Sequence, residues 1–158
     1  MIERTLVLVK PDGVQRGFIG DIIKRFEQAG LKIVGMKMVW VDKELSKKHY
    51  SDHIGKRFYP GLEEYITAGP VVAMAIEGAH AVRNVRKLVG PTSSLEALPG
   101  TIRGDFGHMS LEHADNAKKR YTNLIHASDE KSARKEVELW FSPKELHTYR
   151  TVHEAHTM

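Results

Sequence analysis

Residues 5–13 read TLVLVKPDG. Five consecutive apolar or β-branched side chains mark a short strand buried on both faces, and the Lys-Pro-Asp-Gly that follows carries turn chemistry. Three further segments have strand character. LKIVGMKMVWV (31–41) is a second strand, and its apolar alternation slips by one residue around Gly35, the mark of a bulge. PVVAMAI (70–76) is a third and TNLIH (122–126) a fourth. Met36 and Met38, inside the second, are expected in the core.

Helical periodicity separates these strands. Ile19, Ile22, Ile23 and Phe26 recur at helical spacing and are closed by Gly30. KELSKKHYSDH and GLEEYIT read as helices, HAVRNVRKLVG as a helix ended by Gly90, and residues 129–141 as the last. The resulting alternation fits a parallel α/β sheet. It fits equally an antiparallel α+β sheet with helices on its faces, and pattern alone does not choose. Residues 91–120 are irregular and long for a compact domain, which points to function. No repeat or linker divides the chain, so residues 1–158 are expected to form one domain.

The chain has no cysteine, which excludes disulfides, thiolate metal sites and a cysteine nucleophile. Its net charge of +4 suits a small polyanion as well as a nucleic acid. The apolar run near the N-terminus is too short for a signal peptide, and no stretch is long enough to span a bilayer. A cytoplasmic protein with no membrane partner is expected.

NLIHASDE (123–130) carries the chemistry. If 122–126 is a strand, Leu124 and His126 share a face, and His126 stands at a strand-to-helix corner with Ser128 as the helix N-cap. In the next helix Ala133, Val137, Trp140 and Phe141 define the inward stripe, and Glu136 lies beside it. A carboxylate there needs a partner, and His126 is within reach. A carboxylate on one ring nitrogen fixes the tautomer and leaves the other nitrogen a free lone pair, a competent nucleophile toward phosphorus or carbonyl carbon.

KPDGVQRGFIGDIIKRFEQAGLKIVGMKM, YITAGPVVAMAIEG, PGTIRGDF and NLIHASD, in that order from about residue 3 to 149, together resemble the nucleoside diphosphate kinase family. The resemblance implies a ferredoxin-like α+β fold, a four-stranded antiparallel sheet covered by helices. It also implies transfer of a terminal phosphate from a nucleoside triphosphate to a nucleoside diphosphate through a phosphohistidine, with Mg²⁺ bound mainly through the nucleotide phosphates and no protein metal ligands. Matched residue by residue, His126 is the phosphorylated histidine and Glu136 its orienting carboxylate. Lys10 reaches the transferred phosphate and ribose, and Tyr50 lies near the same phosphate. Phe58 stacks on the base with Leu62 nearby; Arg86, Thr92 and Arg103 surround the α- and β-phosphates, and Asn123 bonds the sugar hydroxyl. Homo-oligomers, hexamers or tetramers built from a shared dimer, are implied as well.

These roles agree with elementary chemistry. The chain has neither GxxxxGK[ST] nor GxGxxG, so phosphate charge must be met by side chains and metal. Stacking on Phe58 would accept any base, because every base has a π-face. The chain also departs from the family. GHMSLEHADNAKKRYT (107–122) is roughly ten residues longer than the usual connection. His108, His113 and the Lys-Lys-Arg cluster within it are expected at the surface. GPTSSLEALPG lacks an early proline used in subunit packing, which leaves the higher assembly open. His49 and His53 stand four apart on an expected helix, but HYSDH lacks the glutamate of HExxH and a third ligand. RGFIGDII begins like an RNA-binding RNP1 box, yet reads as helix, so nucleic acid is not expected as the main ligand.

Overall fold

β1 (Ile2–Val9) runs through the interior of a four-stranded sheet. β3 (Pro70–Ala79) flanks it on one side and β4 (Ile125–Ala127) on the other, with β2 (Lys32–Trp40) outside β3. All pairings are antiparallel, which makes the protein a ferredoxin-like α+β fold and settles what the sequence pattern left open. This computed structural model describes residues 1–157. The helices are α1 (Pro11–Gln15), α2 (Ile19–Gln28), α3 (Lys43–His49), α4 (Tyr59–Thr67), α5 (Ala81–Val89), α6 (Ile102–Phe106), α7 (Leu111–Asn116), α8 (Ala133–Trp140) and α9 (Glu154–Thr157).

Strand alternation divides the core into two layers. Val7 and Val9 face Ile22 and Phe26 of α2 and Val85 and Val89 of α5. Leu6 and Leu8 face the opposite way, onto Tyr50 just past α3, Ile66 of α4, and Val137 and Trp140 of α8. The buried run at 5–9 therefore has a helical layer on each side.

The bulge expected at Gly35 is present as a register shift between Ile33 and Gly35. Its cause is the C-terminal segment. A Cβ on Gly35 would stand 3.0 Å from the Glu145 carbonyl oxygen, and the His147 amide donates to the Val34 carbonyl at 2.7 Å. Beyond that cover, β2 is an open edge. Met36 and Met38 are 56% and 59% exposed, so the expectation that they lie in the core was wrong; with Trp40 they line an uncovered face.

Other differences are local. Lys-Pro-Asp-Gly opens a short helix rather than a simple turn, because proline is pre-set for the first helical position. The fourth strand begins at Ile125, not at 122. Leu124 has φ +69°, and the Asn123 carbonyl accepts from Arg103 Nε, so neither continues the ladder. Leu124 and Ile125 thus both enter the α2/α5 layer, and Leu124 does not share a face with His126. The last helix starts at Ala133 instead of 129. Asp129 accepts the amides of Lys131 and Ser132 at 2.9 and 2.8 Å, and this turn occupies the residues expected to be helical. Ser132 is the N-cap residue, and Ser128 is fully buried. α3 ends at His49, with Ser51–His53 as a separate 3-10 turn, so His49 and His53 do not share a helix. The irregular stretch 91–120 contains α6 and α7.

Candidate active site

Antiparallel pairing brings the ends of β1 and β4 together. Leu8 is opposite His126, so Lys10, just past the end of β1, lies beside Asn123 and Leu124, just ahead of β4; its amide donates to the Leu124 carbonyl at 2.8 Å. The kink at Leu124 is held from below. Asp12 accepts the Leu124 amide at 3.1 Å and the Tyr65 hydroxyl, and that hydroxyl accepts the Asn123 amide at 3.2 Å. Neither Asp12 nor Tyr65 was singled out in the sequence.

Above this corner opens a cleft of about 370 Å³, within the range of small-ligand sites. Lys10, Tyr50, Leu62, Arg86, Thr92, Arg103, Asn123, His126 and Glu136 all line it, with His49 and Asp129. The structure therefore brings together eight of the nine residues named from the sequence. Phe58, the ninth, is 56% exposed and stands outside the lining, 5.4 Å from the His53 ring, which does line it. A larger groove of about 1180 Å³ between the start of β1, α8 and residues 142–148 holds none of them.

His126 Nε2 lies 2.7 Å from Glu136 Oε2. Burial alone would raise the Glu136 pKa, but the bond from His126, the charges of the nearby imidazoles and a bond from Ser128 Oγ bring it down to about 2. An ionised Glu136 makes Nε2 the protonated nitrogen and leaves the Nδ1 lone pair free. Ser128, assigned from sequence as a helix cap, is in fact a second donor to this carboxylate. The short spacing of His126, Ser128 and Glu136 was the available signal.

His49 packs edge-on against His126, with ring centroids 4.7 Å apart. Burial, reinforced by His126, lowers its pKa to about 3, so this ring is neutral. One ligand atom from each of His49, His126 and Glu136 lies within 4.8 Å of the others, a spacing that invites a metal. Trp140 Nε1 donates to His49 Nδ1 at 3.2 Å, however, which puts the His49 proton on Nε2 and removes that lone pair.

The cations have different duties. Lys10 Nζ bonds Asn123 Oδ1 at 2.8 Å and sits 5.0 Å from the Tyr65 ring centroid. Burial, then Arg103, lower its pKa to about 7. Arg103 donates to the carbonyls of Gly90, Pro91, Asn123 and Ile125. Those bonds use four of the five donors a guanidinium carries, so Arg103 chiefly builds the cleft floor. Burial holds its pKa near 10. Arg86 is exposed and donates to the Ala127 carbonyl at 3.3 Å. Tyr50 is buried with no partner for its hydroxyl, and burial pushes its pKa up. The positive charge of Lys10, Arg86 and Arg103 borders a volume where Glu136 is already engaged by His126 and Ser128, a setting suited to an anion.

A ferredoxin-like fold with a carboxylate-held imidazole facing a cationic cleft defines a class, the phosphotransferases that act on anionic substrates. The model of the family described as nucleoside diphosphate kinase matches residues 3–146, and the chain belongs to that family. Nucleoside diphosphate kinase of Pyrococcus furiosus is 54% identical over 94% of this chain and 88% of its own length. The Rhodopirellula baltica enzyme is 50% identical over 96% and 93%. Among solved structures, the Borrelia burgdorferi enzyme, a transition-state mimic with bound vanadate and ADP, superposes with a TM-score of 0.93 at 40% identity, covering 99% of this chain and 96% of that one. A Halobacterium salinarum enzyme in complex with CDP gives 0.87 at 47% identity, covering 98% and 97%.

Proposed function

We propose that the chain moves the γ-phosphate of a nucleoside triphosphate, such as ATP, to a nucleoside diphosphate by a ping-pong route through His126. The observation that carries this reading is the free Nδ1 of an imidazole whose other nitrogen is held by an ionised carboxylate, inside a cleft lined by Lys10, Arg86 and Arg103. The Nδ1 lone pair attacks the γ-phosphorus, and the bond to the bridging oxygen breaks with its electrons leaving on the diphosphate. Glu136 stabilises the positive charge that develops on the ring, and a second diphosphate reverses the step. Nearby cations with little reorganisation left to do favour the spread-out charge of the transferring group.

In this reading Lys10 and Asn123 meet the transferred phosphate and the sugar, Tyr50 the same phosphate, and Arg86, Thr92 and Arg103 the inner phosphates. Phe58, at the lip of the cleft, offers its ring face to any base, with Leu62 beneath. The three carboxylates of the cleft do not form a cage for a hard cation: Glu136 is bonded to His126 and Asp129 to the backbone of its own turn, which leaves Asp52 alone. That donor set fits Mg²⁺ carried on the nucleotide phosphates. When bound, the ion supplies charge neutralisation. The relatives that hold ADP with vanadate and CDP support a nucleotide in this cleft. Such an enzyme equilibrates the nucleoside and deoxynucleoside triphosphate pools of the cytoplasm; no helix among the described residues is long and apolar enough to cross a membrane. The segment resembling an RNP1 box is the start of α2, which removes the strand that an RNA-binding sheet would need.

The open half of β2 supports a homo-oligomer built from dimers. An edge strand with Met36, Met38 and Trp40 uncovered is a template for a second copy. Trp40→Glu is expected to yield a smaller species by sedimentation, and an unchanged mass would remove this interface.

The central test is chemical. Incubated with γ-labelled ATP and Mg²⁺, the protein should carry acid-labile label on His126 and release it to unlabelled diphosphate. His126→Ala should lower turnover by more than about 10³-fold with ADP binding retained. Near-native turnover in that variant would falsify the mechanism.

A further inference from the structure

Residues 107–122 contain no side chain that lines the cleft, yet they form a built element. Ser110 Oγ accepts the His113 amide at 3.0 Å and caps α7. Lys118 takes φ +51°, and the Lys119 amide closes on the Ala114 carbonyl at 2.8 Å, sealing the other end. Ala114 is 1% exposed and anchors the helix.

Both ends of the segment grip one short stretch, Thr92–Ser94. At the start, a Cβ on Gly107 would stand 2.4 Å from Ser94 Oγ, so the backbone lies directly on that side chain. At the finish, the Tyr121 hydroxyl donates to the Thr92 carbonyl at 2.6 Å and accepts the Ser94 amide at 3.3 Å. Asn123 Nδ2 donates to the same Thr92 carbonyl at 3.1 Å, and Asn123 Oδ1 receives Lys10. One residue before Tyr121, Arg120 pairs with Glu64 of α4, the helix that supplies Leu62 to the cleft and has Phe58 as its N-cap residue.

We propose that residues 107–122 are a clasp and that Tyr121 is a positioning residue, which holds Thr92 and Asn123 in their nucleotide-binding arrangement before the nucleotide arrives. The proposal rests on the cleft being the nucleotide site. A loop that must be ordered on binding weakens affinity by the entropy of ordering it, and the clasp removes that cost in advance. The Arg120–Glu64 pair is exposed and screened, so the Tyr121 hydroxyl is the stronger of the two fastenings. The His126, Glu136 and Ser128 group is not bonded to the clasp, so affinity should respond and the chemical step should not.

Tyr121→Phe keeps the ring and removes the hydroxyl. The dissociation constant for ADP by calorimetry and the KM for diphosphate should both rise about three- to ten-fold, with kcat changed less than about two-fold. Glu64→Ala, on the surface, should give a smaller rise in the ADP dissociation constant, and adding Arg120→Ala should give no further rise. A Tyr121→Phe protein with lower Tm but wild-type ADP affinity, the pattern of a merely structural residue, overturns the clasp. So does a fall in kcat at unchanged KM. If Tyr121→Phe does not fold, an unchanged ADP affinity in Glu64→Ala overturns it on its own. Because the calorimetry reads binding without transfer, wild-type protein that binds ADP and moves no phosphate defeats the functional reading and leaves the clasp standing.

Discussion

Lys10 and Lys32 have similar exposure, 7% and 6%, but Lys10 lies deeper in the fold, and the two are shifted in opposite directions. Lys32 meets two carboxylates, Glu77 at 2.9 Å and Glu154 at 2.8 Å, and with the Tyr149 carbonyl its donors are filled. The Glu154 hydrogen bond raises its pKa against a small burial cost. Lys10 bonds a neutral amide and faces a ring; burial and then Arg103 outweigh the attraction of the Asp12 carboxylate, which does not bond it, and drive its pKa down to about 7. One lysine closes the structure by fastening the C-terminal segment. The other is left electrostatically incomplete at the place where a phosphate would complete it. Burial alone does not mark a functional cation; burial without a directly bonded counter-charge does.

That contrast breaks most sharply at Lys10. Lys10→Met should lower phosphate transfer by about 10²–10³-fold. It should also raise the Tm of the nucleotide-free protein by about 3–6 °C, because an unpaired buried charge is removed. The sign follows from protons: between pH 7 and 10.5 the unfolded chain holds this proton and the native state does not. Native stability therefore rises with pH across that window, with the full cost of the buried charge present below it. The same shift predicts that ADP affinity weakens as pH rises above about 7, and that this dependence disappears in Lys10→Met. A Tm that falls in Lys10→Met would mean the lysine is structural after all. The milder effect lies at Lys32. Lys32→Met should lower Tm by about 2–6 °C, with kcat and KM unchanged, since it frees Glu77 and the tail but touches nothing in the cleft. The Lys32 contribution should be full below pH 10.5 and be lost as pH rises from there through its raised pKa. If Lys32→Met impaired transfer, the division between closing and waiting cations would have to be redrawn.

Local periodicity was a good guide where local interactions decide. α2, α5 and β3 follow their apolar spacing, and the two helices their closing glycines. It failed where a distant residue intervenes. β4 is short because Arg103, about twenty residues away, takes the Asn123 carbonyl; α8 starts late for a local reason that apolar spacing does not reveal, since Asp129 captures the backbone of its own turn. Met36 and Met38 alternate like core residues, but no element among the described residues covers that part of β2. In the site, His126 and Glu136 were legible from spacing and motif. His49 was not, since a helix-spacing argument tied it to His53 while the fold sets it against His126. Asp12, Tyr65 and Tyr121 act through hydroxyl and backbone bonds spanning 27 to 112 residues, and no short window contains both partners.

The sequence by itself determined which faces are apolar, where the turns fall, and which side chains are able to take and hold a phosphate. Tertiary structure alone decided the antiparallel direction of pairing, the lowered pKa of Lys10, and the joining of Tyr121 to Thr92. Side-chain periodicity is written residue by residue along the chain, whereas strand direction and desolvation exist only after remote segments have closed around one another.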